Sequence, residues 1–134
     1  MLDHISIQCA DLTASAAFYD AVLKEIGASR VLDFGSRIGY GFDFPCFWLG
    51  PLETGDGFRE SHIAFTGPTR EAVIAFRDAA VAAGAEVLHE TRVWPEYHPG
   101  YFGAFVRDPD GNNIEAVHHT WEASPRKAEG SGGR

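Results

Sequence analysis

The feature that most constrains this chain is a short, degenerate internal duplication. His4-Ile5-Ser6-Ile7 returns as His62-Ile63-Ala64-Phe65, 58 residues later, Phe76 follows Phe18 by 58 residues, and Gly84 follows Gly27 by 57. Chance rarely gives three near-equal offsets, so the chain is read as two like modules.

Each module opens on a strand and continues into a helix. In the first, Leu12, Ala16, Tyr19, Val22, Leu23 and Ile26 recur at helical spacing, and Gly27 supplies a residue tolerant of left-handed geometry where the helix should stop. In the second, Pro68 and Thr69 precede a stretch whose inner face carries Val73, Phe76, Ala80 and Ala83, and Gly84 stops it. Short β-like runs follow each helix, at 30–34, 38–44 and 45–49, then at 86–89, 102–107 and 113–117. Asp108-Pro109-Asp110-Gly111-Asn112 has turn chemistry and joins the last two runs into a hairpin. The expected fold is α+β: two βαβββ modules, about 1–57 and 58–120, forming one curved mixed sheet in a single domain over 1–120. A flexible Gly/Ser-rich tail is expected over 121–134.

Composition removes several function classes. A chain of 134 residues is about one domain, large enough to form a core without a structural metal, so a metal here would serve chemistry. A net charge of −8 without a Lys/Arg cluster argues against nucleic acid. No apolar run approaches the roughly 18 residues a membrane span needs, and the start lacks a signal peptide's pattern. A cytoplasmic protein is expected. Cys9 and Cys46 lack the spacing of a zinc knuckle or a redox pair and are expected to be buried free thiols.

His4 and His62 hold the same place in the two repeats, so pseudo-twofold symmetry would bring their imidazoles towards a shared axis. Glu115 stands on the closing strand. Side chains alternate along a strand, so His4 shares a face with Leu2, Ser6 and Gln8, and Glu115 with Asn113 and Val117. Two imidazoles and one carboxylate suit one divalent first-row ion and leave positions open to water, substrate or oxygen.

With these residues go His4-Ile5-Ser6, Ala10-Asp11-Leu12, Phe18-Tyr19, Ser61-His62-Ile63-Ala64-Phe65 and Asp108-Pro109-Asp110-Gly111-Asn112-Asn113-Ile114-Glu115. Together they resemble the vicinal-oxygen-chelate, or glyoxalase/bleomycin resistance protein/dioxygenase, superfamily over about residues 1–118. The resemblance implies that His4, His62 and Glu115 are metal ligands for one ion of iron, manganese, nickel or zinc. It also implies a small-molecule substrate. The departures are informative. Glyoxalase I carries a fourth ligand near 46–49, where this chain has no carboxylate, and an arginine for glutathione where this chain has Gln8. Ring-cleaving dioxygenases and fosfomycin-type thiol transferases carry a tyrosine where this chain has Phe105.

The loop Trp94-Pro95-Glu96-Tyr97-His98-Pro99-Gly100-Tyr101 precedes the closing hairpin. Tyr101 can donate a hydrogen bond at the metal, and His98 can act as a general acid or base. An aromatic loop merely packed over the cup is the alternative. Glu115, Tyr101 and His98 are thus the candidate catalytic groups, and Ser6, Trp48 and Phe105 the candidate substrate contacts. His118 and His119 are left outside the site, the first for facing away from Glu115 and the second for lying near the strand end. Dioxygenase-like chemistry leads, because two histidines and a carboxylate form the facial-triad pattern. A glyoxalase-like lyase, a thiol transferase and a non-catalytic small-molecule binder stay open. Exposed sheet edges and cup walls predict a homodimer, with the cup formed either within one chain or across two.

Overall fold

The computed structural model describes residues 1–120, and the tail expected over 121–134 lies outside the described residues. The order is β1 (Ile5–Cys9), α1 (Leu12–Lys24), β2 (Ser29–Asp33), β3 (Ile38–Gly41), β4 (Pro45–Pro51), β5 (His62–Thr66), α2 (Arg70–Ala82), β6 (Val87–Val93), β7 (Tyr101–Arg107) and β8 (Asn113–His119). The strands form two four-stranded sheets, β1-β4-β3-β2 and β5-β8-β7-β6. In each, the first and last strands of the module run parallel and the remaining pairs antiparallel.

The duplication extends to the helix ends. Asp11 and Thr69 cap the two N-termini, their side chains accepting from Ala14 N–H and Ala72 N–H at 3.0 Å each. At the C-termini, Gly27 N–H donates to Lys24 O and Ala28 N–H to Leu23 O, matched by Gly84 N–H to Val81 O and Ala85 N–H to Ala80 O. Gly27 (φ 93°) and Gly84 (φ 86°) take the left-handed conformation this closure requires. Ala83, expected on the inner face of α2, is exposed instead, because the helix has ended at Ala82.

The two helices pack on each other and on one face of the sheets. Phe47, Leu49, Tyr40 and Ile38 from the first sheet join Ala104, Val106, Ile114 and Ala116 from the second in one core with Tyr19, Leu23, Val73 and Phe76. Alternation then sends Cys46 and Trp48 to the face away from the helices. Cys46 is therefore exposed, contrary to the expectation of two buried thiols. Cys9 is buried, and burial pushes its thiol up from its ordinary range. The strand expected at 38–44 stops at Gly41, where a Cβ would lie 1.8 Å from Phe44 O in the tight return to β4.

The hairpin at 108–112 also ties the modules together. Gly111 (φ 95°) turns the chain, and the buried Asp108 accepts from Asn112 N–H at 2.8 Å and from the Tyr19 hydroxyl of α1 at 2.7 Å. Asp110 accepts from Ala10 N–H at 2.9 Å and from the Ser15 hydroxyl at 3.3 Å. The acidic turn of the second module is thus bolted to the first module's β1–α1 corner. Among the described residues, no helix is long and apolar enough to cross a membrane.

Candidate functional site

Register places the candidate residues. His62 pairs with Asn113, Ala64 with Glu115 and Phe105 with Glu115, so β5, β8 and β7 bring His62, Glu115 and Phe105 to the helix-free face of the second sheet. Two residues per strand period add Tyr101 and Gly103 from β7 and His119 from β8.

At the centre lies Glu115, only 1% exposed. Its Oε1 is 2.8 Å from His62 Nε2, and its Oε2 accepts from the Tyr101 hydroxyl. Gly103 makes room for this carboxylate, since a Cβ there would lie 3.2 Å from Oε2 and 3.1 Å from the Tyr101 ring. Burial, and then the hydrogen bond to Glu115, push the Tyr101 phenol above its ordinary range, so it stays a donor at neutral pH. The His62 side chain is 53% exposed, which leaves the group open on that side.

A layer of rings covers the rest of the face. Phe105, 3% exposed, lies under His62, His89 and Trp94, with ring centroids 6.3, 5.3 and 5.6 Å away. The loop before β7 is anchored by Arg92, whose guanidinium sits 3.5 Å from the Trp94 ring centroid and donates to Glu96 at 2.9 Å. His98 accepts from Gly100 N–H at Nδ1 and lies 2.8 Å from His119 Nδ1 through Nε2. Both imidazoles stand edge-on to the Tyr101 ring, at 5.7 and 5.2 Å. Burial, and then the neighbouring His98, hold the His119 imidazole below its ordinary range.

The structure therefore gathers Glu115, His62, Tyr101, His98 and Phe105 into one cluster. It adds His119, which the sequence analysis left out. The signal for it was strand parity: 115, 117 and 119 share a face once β8 runs on to His119. His118 faces the other way, 2.9 Å from Gly67 O.

His4, Ser6 and Trp48 lie elsewhere, on the helix-free face of the first sheet. The His4 imidazole is exposed and 2.7 Å from Asp3 Oδ1. Among the described residues of one chain, no three His, Cys, Asp or Glu side chains converge into a metal cage. His62 and Glu115 come together, and His4 does not join them. Gln8, on the same strand, is spent on the inter-module loop: its Oε1 accepts from Glu53 and Thr54 N–H, and its Nε2 donates to Thr54 O.

Comparison with known proteins gives the site a context. The family model of the Glyoxalase/Bleomycin resistance protein/Dioxygenase superfamily matches residues 1–116. The chain is 28% identical over 131 residues to the uncharacterized protein YqjT of Bacillus subtilis, covering 87% of this chain and 97% of that one. Its fold is similar to that of a glyoxalase/bleomycin resistance protein from Albidiferax ferrireducens, with a TM-score of 0.76 at 28% identity over 87% of this chain and 97% of the other. A glyoxalase-related enzyme from Fulvimarina pelagi shares the fold, with a TM-score of 0.71 at 21% identity and 93% coverage of both chains.

Proposed function

The chain belongs to the glyoxalase/bleomycin resistance protein/dioxygenase superfamily, and from that premise we propose a divalent-metal-dependent enzyme acting on a small oxygen-bearing substrate. Its centre is His62 and Glu115 of one copy with His4 of a second copy in a homodimer. The observation that carries this reading is the Glu115 carboxylate, buried and, among the described residues, hydrogen-bonded to an imidazole and a phenol. An anion so placed is costly without a positive partner, and a cation beside His62 supplies one.

The donor chemistry fits. One carboxylate and two imidazoles suit iron, manganese, nickel or zinc with positions left for substrate. His62 and Glu115, with His4 of the second copy, would hold the ion, which would supply Lewis-acid polarisation of a substrate oxygen. The protein's own groups do the rest. Tyr101 fixes Glu115 through Oε2 and leaves Oε1 towards His62, where it can accept a proton from substrate. His98 and His119, 2.8 Å apart, stand edge-on to the Tyr101 ring and hold its phenol towards Oε2. Phe105, opposite Glu115 on the neighbouring strand, shields one side of the carboxylate.

Dioxygenase-like chemistry leads because the ligand set is that of a facial triad. A lyase or thiol transferase shares the site. Dependence on glutathione is disfavoured because Gln8 stands in the arginine position and is occupied by the loop at Glu53 and Thr54. Elemental analysis of freshly purified protein tests the reading. About one ion per chain is expected, with His62→Ala reducing it at least tenfold. Equal content in both proteins would remove His62 from the centre, and a wild type without metal would favour a non-catalytic binder.

A further inference from the structure

The first module's open face carries a feature that metal binding does not use. Trp48 pairs with Ser6 on one side and Gly39 on the other, and its neighbours Phe47 and Leu49 point into the core. The indole lies flat across β3 because Gly39 has no side chain. A Cβ there would lie 2.9 Å from indole Cη2 and Cζ2 and 2.9 Å from Pro45 Cβ. Gly39 therefore backs one face of the indole.

Phe34, just past β2, sets its ring nearly parallel to the indole, with centroids 6.1 Å apart and planes inclined by 8°. Phe34 is 67% exposed and Phe44, on the same cavity of about 390 Å³, is 57% exposed. His4 and Ser6 line that cavity too. Arg37 on its rim is paired with Glu53 at 2.7 Å, and Asp3 lies 2.7 Å from His4 Nδ1, so the rings form the uncharged part of the wall. In the second module, the positions matching Gly39 and Trp48 hold Phe105 and Glu115. The two faces are thus unlike: one bears an acid over a ring, the other a ring over a glycine.

We infer that the substrate carries a planar aromatic ring, which lies parallel to the Trp48 and Phe34 rings on the first module's open face. The inference rests on the proposed function, because this wall adjoins the chemistry only when His4, in the same cavity, joins the metal centre. A flat ring extends a parallel stack with its whole face. A saturated ring of equal size meets the same surface only through its axial hydrogens and loses the stacking contribution.

Calorimetric titration of the full chain with 2-naphthol and with decahydro-2-naphthol tests this, since the two share skeleton and hydroxyl and differ in planarity. The expected preference for 2-naphthol is roughly tenfold. Trp48→Leu and Phe34→Ala should each cut it severalfold, and Phe34 is exposed enough for its variant to fold. Equal affinities, or a preference unchanged in both variants, would overturn the inference. Metal content is measured on the same samples. A preference that persists in protein lacking metal supports the aromatic wall while removing the metal centre. Full metal content without a preference overturns the wall and leaves the metal centre standing.

Discussion

Trp48 and Glu115 stand on equivalent rungs of two parallel ladders. Trp48 lies opposite Ser6, two residues past His4, and Glu115 lies opposite Ala64, two residues past His62. Matching the runs 45–49 and 113–117 end to end leaves Trp48 and Glu115 one residue out of step, and the ladders make them direct counterparts. The position that carries a buried acid in one module carries an indole in the other.

Neighbouring residues on β4 should therefore respond in opposite ways. Phe47 is buried under α1, and Phe47→Ala should cost about 3–5 kcal/mol of stability. Trp48→Phe, on the open face, should cost less than about 1 kcal/mol. Urea denaturation of both variants checks this. A larger loss at Trp48 than at Phe47 would mean that the face assignment is reversed.

Tyr101→Phe removes the donor to Glu115 Oε2. A buried carboxylate oxygen left without its donor should lower the unfolding free energy by about 1–3 kcal/mol. The same denaturation assay measures it. No loss would show that another group satisfies Oε2 and that the phenol does not hold the acid in place.

Asp20 gives a pH signature. Hydrogen bonds from Arg30, and then from Tyr40, hold its carboxyl below the usual range. A depressed folded value means that the contribution is full above the unfolded pKa of about 3.9 and is lost as pH falls through the lower folded value. Asp20→Asn should therefore cost stability at pH 7, by no more than about 1 kcal/mol because the pair with Arg30 is part-exposed. The gap to wild type should stay constant down to about pH 5 and close below about pH 4. A gap unchanged at pH 3 would remove the charge from the explanation.

Much of the fold was legible because it is local. The spacing of Val73, Phe76 and Ala80 marks α2, and the glycines at 27 and 84 mark helix ends that close with the same pair of hydrogen bonds. Asp108 to Asn112 announced a hairpin from turn chemistry alone. That Asp108 would bind Tyr19, 89 residues away, was not legible, because no local pattern records which distant hydroxyl a turn will meet. The site divides in the same way. His62 and Glu115 were recoverable from strand parity, and so was His119 once β8 was extended by one more period. The position of His4 was not, because it depends on how the modules sit side by side. Gly103 gave no signal either, since its role is the room it leaves for the Glu115 carboxylate.

The proposed metal centre joins His4 of one copy to His62 and Glu115 of another. The metal content of a mixed dimer with His4→Ala in one copy and His62→Ala in the other, isolated through two different affinity tags, tests that sharing. Twofold symmetry gives such a dimer one intact centre of two, so it should hold about half the wild-type metal while each single-variant dimer holds almost none. A mixed dimer as empty as the single variants would contradict a shared centre, and single variants with wild-type metal content would contradict the ligand set itself.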